Sequence, residues 1–233
     1  MTPILLIAVN FVREQRWPIL ALLLWIIGLS TLTFSWKGHV QQQDLLSVLQ
    51  LVGFYVLAFG LFFGGSALRN DLKSRRILAV LSKGITRGQY LAGLLFGIVI
   101  AVALFSCGLG IAAFLPELPL HMGQIVSLSL GLFSASLVCA SVALLFSVFM
   151  PPLPATICTV LALGLPAMFG LIQDSQWMDW ISPYAVFNNL LTITESANGP
   201  GWSAIGAGFV ETAVIWAAAT WIFSRKDVAV AVE

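Results

Sequence analysis

Residues 69–90, RNDLKSRRILAVLSKGITRGQY, lie between two long apolar runs and hold six of the chain's eleven Lys and Arg residues. On a helical wheel one side of this segment carries apolar residues: Ile77, Leu78 and Leu81. The other side carries basic residues: Arg75, Arg76 and Lys83. The pattern is typical of a short amphipathic helix at a membrane surface. Such a helix either binds anionic lipid or docks a cytoplasmic partner.

The composition around this segment is that of a membrane protein with several spans. Hydrophobic residues make up 59% of 233 residues and charged residues only 9%, whereas soluble domains carry roughly 25% charged residues. The mean hydropathy is +0.98. The basic residues are few and lie next to apolar runs, which argues against nucleic-acid binding. The three cysteines lie within apolar runs and the two histidines stand alone in separate loops, so we predict neither disulfides nor a metal site.

Six apolar runs are long enough to cross a bilayer core of ~30 Å as helices. They cover residues 17–34, 45–68, 90–115, 125–150, 153–172 and 203–224. Residues 1–16 precede them as an amphipathic helix at the membrane interface, with Asn10, Arg13 and Glu14 on its polar face. The sequence therefore predicts an all-α polytopic protein in which residues 1–233 form a single transmembrane domain.

The basic residues predict the orientation of these spans. Ten of eleven lie in segments that six spans place on one side: Arg13 and Arg16, then Arg69, Lys73, Arg75, Arg76, Lys83 and Arg87, then Arg225 and Lys226. Only Lys37 falls on the other side. We therefore expect both termini and the region 69–89 to be cytoplasmic, in a prokaryotic plasma membrane. The outer segment 173–202 is rich in aromatic residues, and its part 183–194 is expected to form a short interfacial or re-entrant helix.

Glu211 is the one ionisable residue deep within a predicted span, about 12 Å past Ser203. Charges at such depth commonly face a cavity and are functional, but a protonated carboxyl group bonded to a neighbouring helix is equally compatible with the sequence. Small residues share its helical face: Gly208, Thr212, Ile215 and Ala219. Bulky ones are predicted to point elsewhere: Phe209, Trp216 and Phe223.

Other candidates concern packing and a pathway. Small residues recur at helix-packing spacing: Gly60 and Gly64, Gly93 and Gly97, and Ser127, Gly131, Ser134 and Ser141. Pro166 is expected to kink the fifth span. An apolar route for a hydrophobic substrate would use aromatic and neighbouring residues of the second and fifth spans, in addition to Glu211: Tyr55, Phe59, Phe62, Pro166, Met168 and Phe169. The same aromatic residues are also compatible with ordinary packing.

The sequence lacks three common motifs of nucleotide-binding and catalytic sites. The sequence contains no G-x-x-x-x-G-K-[ST] phosphate loop, no H-E-x-x-H zinc site and no G-x-S-x-G nucleophile elbow. The chain therefore lacks an ATPase motif of its own and is not expected to be an enzyme.

The order of these features resembles the ABC type-2 transporter permeases. In the region 69–93, Asp71 matches the family's acidic residue. Ile85-Thr86-Arg87 is similar to the family's Pro-Ile/Val-Ser/Thr-Arg motif, and Tyr90-Leu91-Ala92-Gly93 is similar to the aromatic-Leu-x-Gly motif at the start of its third span. Ser182-Pro183 is similar to the family's Ser-Pro after the fifth span, and the segment 223–228 to its exit from the sixth. Two features differ, since Arg75-Arg76 replaces a Gly-Thr pair and Gly84 replaces a proline.

The resemblance implies a mechanism and partners. Two permease copies, identical or homologous, would form a pathway lined mainly by spans two and five. An ATP-binding cassette subunit, which would carry ATP and Mg²⁺, would dock on the cytoplasmic coupling helix between spans two and three. The coupling residues implied are Asp71, Leu72, Lys73, Arg75, Arg76, Leu78, Leu81, Ser82, Gly84 and Arg87. The chain itself would need no cofactor.

Three other functions remain compatible with the sequence. A secondary transporter or channel would need embedded charge, for which Glu211 is the one candidate. A membrane-embedded enzyme is disfavoured by the missing motifs. A non-transporting membrane assembly subunit fits the short outer loops.

Overall fold

The computed structural model describes residues 2–35, 42–73, 77, 84–114, 121–173, 180–196 and 200–225. Every long regular element in these ranges is an α-helix, which confirms the predicted all-helical class. The eight helices of the described part are α1 (Pro3–Glu14), α2 (Arg16–Ser35), α3 (Gln42–Lys73), α4 (Arg87–Phe114), α5 (Met122–Ser147), α6 (Pro152–Gln173), α7 (Ser182–Ser196) and α8 (Trp202–Arg225).

Four of the described helices are long and apolar enough to cross a membrane, which fits a multi-pass membrane protein. The qualifying segments are Leu46–Leu68 of α3, Arg87–Ile111 of α4, α5 and α8. Two further helices contain shorter apolar segments, Arg16–Leu29 in α2 and Pro152–Pro166 in α6.

Several helix ends lie a few residues from the predicted limits of the spans, and the ends of α3 and α5 are two of them. α3 continues to Lys73, so the first part of the predicted coupling region 69–89 prolongs the helix of the second span. α5 ends at Ser147 instead of residue 150. The next residues form a turn in which Met150 donates to the carbonyl oxygen of Phe146. Pro151 and Pro152 cause this early end, because a residue before proline is disfavoured in a helix and proline suits the first turn of α6.

The centre of the bundle is α5, which packs against α3, α4, α6, α7 and α8. Of its candidate membrane segment, 72% is buried within the chain, against 22% for that of α8. The predicted small residues of α5 are all buried: Ser127, Gly131, Ser134 and Ser141. Small side chains therefore let five helices surround one, as expected for helix association in lipid.

The glycine pairs lie where helices approach most closely, as predicted. In α3, a Cβ atom at Gly60 would lie 2.8 Å from the carbonyl oxygen of Ser136, and one at Gly64 would overlap the backbone of Ala140. α3 thus packs directly on the backbone of α5.

The first helix packs against α4 through the second glycine pair. A Cβ atom at Gly93 would lie 2.7 Å from the Cβ atom of Ile7, and one at Gly97 would lie 2.7 Å from the ring of Phe11. The predicted polar residues of α1, Asn10, Arg13 and Glu14, are exposed. α1 is therefore amphipathic, with Ala8 and Phe11 buried against the bundle, and its position at the membrane interface stays a prediction.

Candidate functional site

An apolar cavity of about 470 Å³ lies between α3, α6 and α7, with Cys139 of α5 in its wall. Two close contacts of α3 bound it. At one end a Cβ atom at Gly53 would lie 2.7 Å from Leu190 of α7, and at the other a Cβ atom at Gly65 would lie 2.7 Å from the Thr156 hydroxyl oxygen of α6. These glycines are about 18 Å apart along the helix. The volume is within the usual range of ligand-binding cavities.

The α3 side of the cavity is a single helical stripe at i, i+3, i+4 and i+7, made of Phe54, Leu57, Ala58 and Leu61. The predicted pathway residues of α3 lie on other faces. Tyr55 packs edge-on against Trp25 of α2, with ring centroids 6.3 Å apart. Phe59 lies 5.9 Å from the ring of Phe105 in α4, and Phe62 is half exposed. Their part in a pathway stays a prediction.

The α6 side includes one of the predicted residues, Met168, together with Val160, Leu163 and Gly164. Pro166 lies inside α6 and is partly exposed. The side chain of Phe169 lies outside the described part of the chain. The cavity-lining residues of α6 therefore overlap the prediction at one position.

The α7 side is made by Pro183, Tyr184, Phe187 and Leu191. The ring of Phe187 lies 5.5 Å from that of Phe54 across the bundle. Tyr184 is buried and packs against Leu163 of α6. Every side chain that lines the cavity is apolar except for the thiol of Cys139 and the hydroxyl group of Tyr184. The cavity therefore suits an uncharged, apolar group.

Glu211 lies next to this cavity at the start of α7. Its Oε1 atom accepts a hydrogen bond from the backbone N–H of Ser182, at 3.3 Å. The hydroxyl groups of Ser182 and Ser134 lie 3.1 Å apart and are buried. The carboxyl group of Glu211 in α8 thus forms a hydrogen bond with a neighbouring helix, α7. The Ser182 hydroxyl group in turn connects α7 to α5. An acceptor oxygen is favoured there, because the first N–H groups of a helix have no partner within the helix.

The face of α8 that packs on the bundle is longer than predicted. Gly208, Thr212 and Ala219 are buried and Phe209 is exposed, as expected. The prediction for Phe223 was wrong, because its side chain is buried at 3% exposure. Phe223 follows the buried Ala219 by four residues and therefore lies on the same face of α8. The guanidinium group of Arg87, at the start of α4, lies 5.9 Å from the Phe223 ring.

Arg87, a predicted coupling residue, binds the end of α8. Its Nη1 atom donates to the carbonyl oxygens of Phe223 and Ser224, both at 3.1 Å. These carbonyls belong to the last turn of α8, where no helical N–H is available to them. Arg87 is held in place by a capping box, because Thr86 and Gln89 exchange side-chain-to-backbone hydrogen bonds at the start of α4.

Most of the other coupling residues cannot be placed. Arg75, Arg76, Leu78, Leu81 and Ser82 lie outside the described residues, as do the side chains of Asp71, Leu72 and Lys73 in the last turn of α3. Within the region, Ile77 is buried at 1% exposure. Gly84 has a φ of 79°, which proline cannot adopt. A proline at position 84 would therefore not fit the turn before α4.

Sequence reasoning missed the cavity-facing residues of α3 and α7. α3 is apolar on all sides, so its sequence carries no signal for the face that borders a cavity. α7 does carry one, because Tyr184, Phe187 and Leu191 recur at helical spacing opposite the polar residue Asn189. In the described ranges, no three His, Cys, Asp or Glu side chains are grouped as a metal site would require.

Comparisons of the chain with protein-family models, with curated proteins and with solved structures found no match.

Proposed function

We propose that this chain is the permease subunit of an ABC transporter, which forms the membrane pathway for ATP-driven export of a hydrophobic or amphipathic substrate. It would cross a prokaryotic plasma membrane six times, with α2 and α6 as the first and fifth spans and both termini in the cytoplasm. ATP and Mg²⁺ would be bound by a separate ATP-binding cassette subunit.

The observation that carries the proposal is the position of the cavity. It lies between α3 and α6, the helices of the predicted second and fifth spans, and those spans line the pathway in the family that the sequence resembles. Its lining is apolar, with the Tyr184 hydroxyl and the Cys139 thiol as the polar groups. An apolar substrate segment would gain about 25 cal/mol for each Å² that it removes from water there.

A second permease copy is supported by exposed apolar side chains on α6. Leu153, Ile157 and Leu165 are each at least half exposed in the single chain, and α2 makes few contacts with α3. Both helices therefore offer surface either to lipid or to a second permease, identical or homologous.

The proposal predicts that the basic face of the coupling region transmits ATP turnover. We expect Arg75→Glu with Arg76→Glu to leave membrane insertion intact and to abolish the stimulation of the partner's ATPase activity, because four units of charge change on the docking face. The measurement is ATP hydrolysis by the purified complex in lipid vesicles, with and without the permease.

A matched control is Arg13→Glu with Arg16→Glu, which makes the same charge change on the same predicted side but at the end of α1 and the start of α2. The control complex should retain stimulated ATPase activity. Normal stimulation in the Arg75 and Arg76 variant, at normal complex yield, would remove the coupling role from this segment.

A further inference from the structure

The start of α7 is fixed by two side chains from different helices. The N–H group of Ser182 donates to Oε1 of Glu211 in α8, and the Ser182 hydroxyl pairs with that of Ser134 in α5. We call these two hydrogen bonds the α7 anchor. Ser134 is about 18 Å from the start of α5, so the anchor holds the first turn of α7 well inside the bundle.

The side chains of Ser182 and Ser134 lie directly against Gly208 of α8, where only glycine leaves enough space for them. A Cβ atom at Gly208 would lie 2.5 Å from the Ser182 hydroxyl oxygen and 3.0 Å from the Cβ atom of Ser134. Side-chain atoms do not approach a Cβ atom that closely, so a larger residue at 208 would displace α7. Two features of α8, the missing side chain at Gly208 and the carboxyl group of Glu211, thus both fix the position of Ser182 in α7.

The anchored residue is followed directly by the wall of the cavity. Pro183 and Tyr184 come next in the chain and line the cavity, and Tyr184 packs against Leu163 on the opposite wall. Because Ser182 and Pro183 are adjacent, a shift of Ser182 moves this wall by a similar distance. The position of the wall therefore depends on Glu211.

Both bonds of the anchor are long for their type. N–H···O bonds normally measure 2.7–3.2 Å and O–H···O bonds 2.5–3.0 Å, against 3.3 Å and 3.1 Å here. The second carboxyl oxygen, Oε2, is buried and has no hydrogen-bond partner among the described residues. The bond at Oε1 is therefore the one hydrogen bond that the Glu211 carboxyl group makes to the described residues.

We propose that Glu211 is a positioning residue, whose hydrogen bond to Ser182 holds the first turn of α7 in the cavity wall and so keeps Tyr184 packed on Leu163. Glu211 does not line the cavity itself and acts on it through α7. A carboxyl group offers an acceptor oxygen whether or not it is protonated, so the role does not require a charge. The inference adds to the proposed function but stands on the geometry of the single chain.

The test measures access to the cavity. In full-length chain with Cys107, Cys139 and Cys158 changed to alanine, Leu163→Cys introduces one thiol opposite Tyr184, and its rate of modification by N-ethylmaleimide is followed in membranes. We expect Glu211→Ala to raise this rate about tenfold, because one buried hydrogen bond is lost. Glu211→Gln should react within twofold of the parent, since its amide oxygen can accept the same bond.

Two controls separate this effect from general loosening. A thiol introduced instead by Leu153→Cys, which lies on the exposed side of the same helix, should react equally fast in all variants. Val214→Ala, on the exposed side of α8, should leave the reaction at position 163 unchanged.

Equal rates for Glu211→Ala and Glu211→Gln would overturn the proposal, whether both are slow or both are fast. If Glu211→Ala is not recovered from membranes, Gly208→Ala provides the test, because its new Cβ atom displaces Ser182 without altering the carboxyl group. Modification of that variant at the parent rate would equally contradict the inference. No transport or ATP partner enters the assay, so its outcome is independent of the proposed function.

Discussion

Gly64 allows a close approach between the backbones of α3 and α5. A Cβ atom there would overlap the backbone carbonyl group of Ala140 in α5. A backbone carbonyl cannot swing away as the end of a flexible side chain can, so any larger residue must push α3 off α5. Gly206 of α8 is a contrasting case, because a Cβ atom there would have no neighbour within 4 Å.

We predict that Gly64→Ala destabilises the protein by about 2 kcal/mol, which is typical of overpacking a dense interface. The melting temperature in detergent should fall by roughly 5 °C. The matched control, Gly206→Ala, should be neutral or slightly stabilising, because alanine is the better helix former. If the two variants melt at the same temperature, Gly64 does not set the distance between α3 and α5.

Two helices that are far apart in sequence are joined through Arg87, which connects the start of α4 to the end of α8. Its hydrogen bonds to the carbonyl groups of Phe223 and Ser224 satisfy acceptors that the end of α8 leaves unpaired. A positive charge is also favoured there, because the C-terminal end of a helix carries partial negative charge. Arg87 therefore stabilises the last turn of α8 locally.

We predict that Arg87→Ala speeds hydrogen exchange in residues 221–225 about tenfold, because hydrogen bonds to a charged group are lost. The measurement is exchange followed by mass spectrometry on the purified protein in lipid nanodiscs. Arg13→Ala, an exposed residue of α1, should leave this segment unchanged. Exchange at the parent rate in the Arg87 variant would show that α8 ends without help from α4.

The existence and approximate ends of the helices could be predicted from the sequence, because apolar runs of membrane length leave few alternatives. The rotation of each helix was harder to predict. In α3 the stripe that includes Phe54 and Leu61 borders the cavity, whereas Tyr55 and Phe59 pack on other helices. A helix that is apolar on all sides does not encode which side faces its neighbours.

At the scale of the whole molecule, the central position of α5 explains why small residues recur along it. α5 contacts five other helices, so its side chains must be small at several heights and on several sides. The sequence indicated this through the spacing of Gly131, Ser134 and Ser141. The sequence could not indicate that the start of α7 packs between α5 and α8. This packing depends on the space at Gly208 and on the hydrogen bond from Ser182 to Glu211, which no local sequence pattern predicts.

The predicted orientation of the spans would give the molecule two different ends. Arg87 and the end of α8 lie together, and the predicted topology would place most basic residues at the same end. α7 and the cavity it borders lie farther along the bundle. An ATP-driven partner at the basic end would thus act on the cavity through the long helices α3 and α6.

The central claim, that the chain works as the membrane subunit of an ABC transporter, is tested most directly by purifying the tagged chain from native membranes in mild detergent. The retained proteins are identified by mass spectrometry and the sample is assayed for Mg²⁺-dependent ATP hydrolysis. We predict stoichiometric recovery of an ATP-binding cassette subunit together with ATPase activity. Reproducible recovery of the chain alone, without ATPase activity, would contradict the claim.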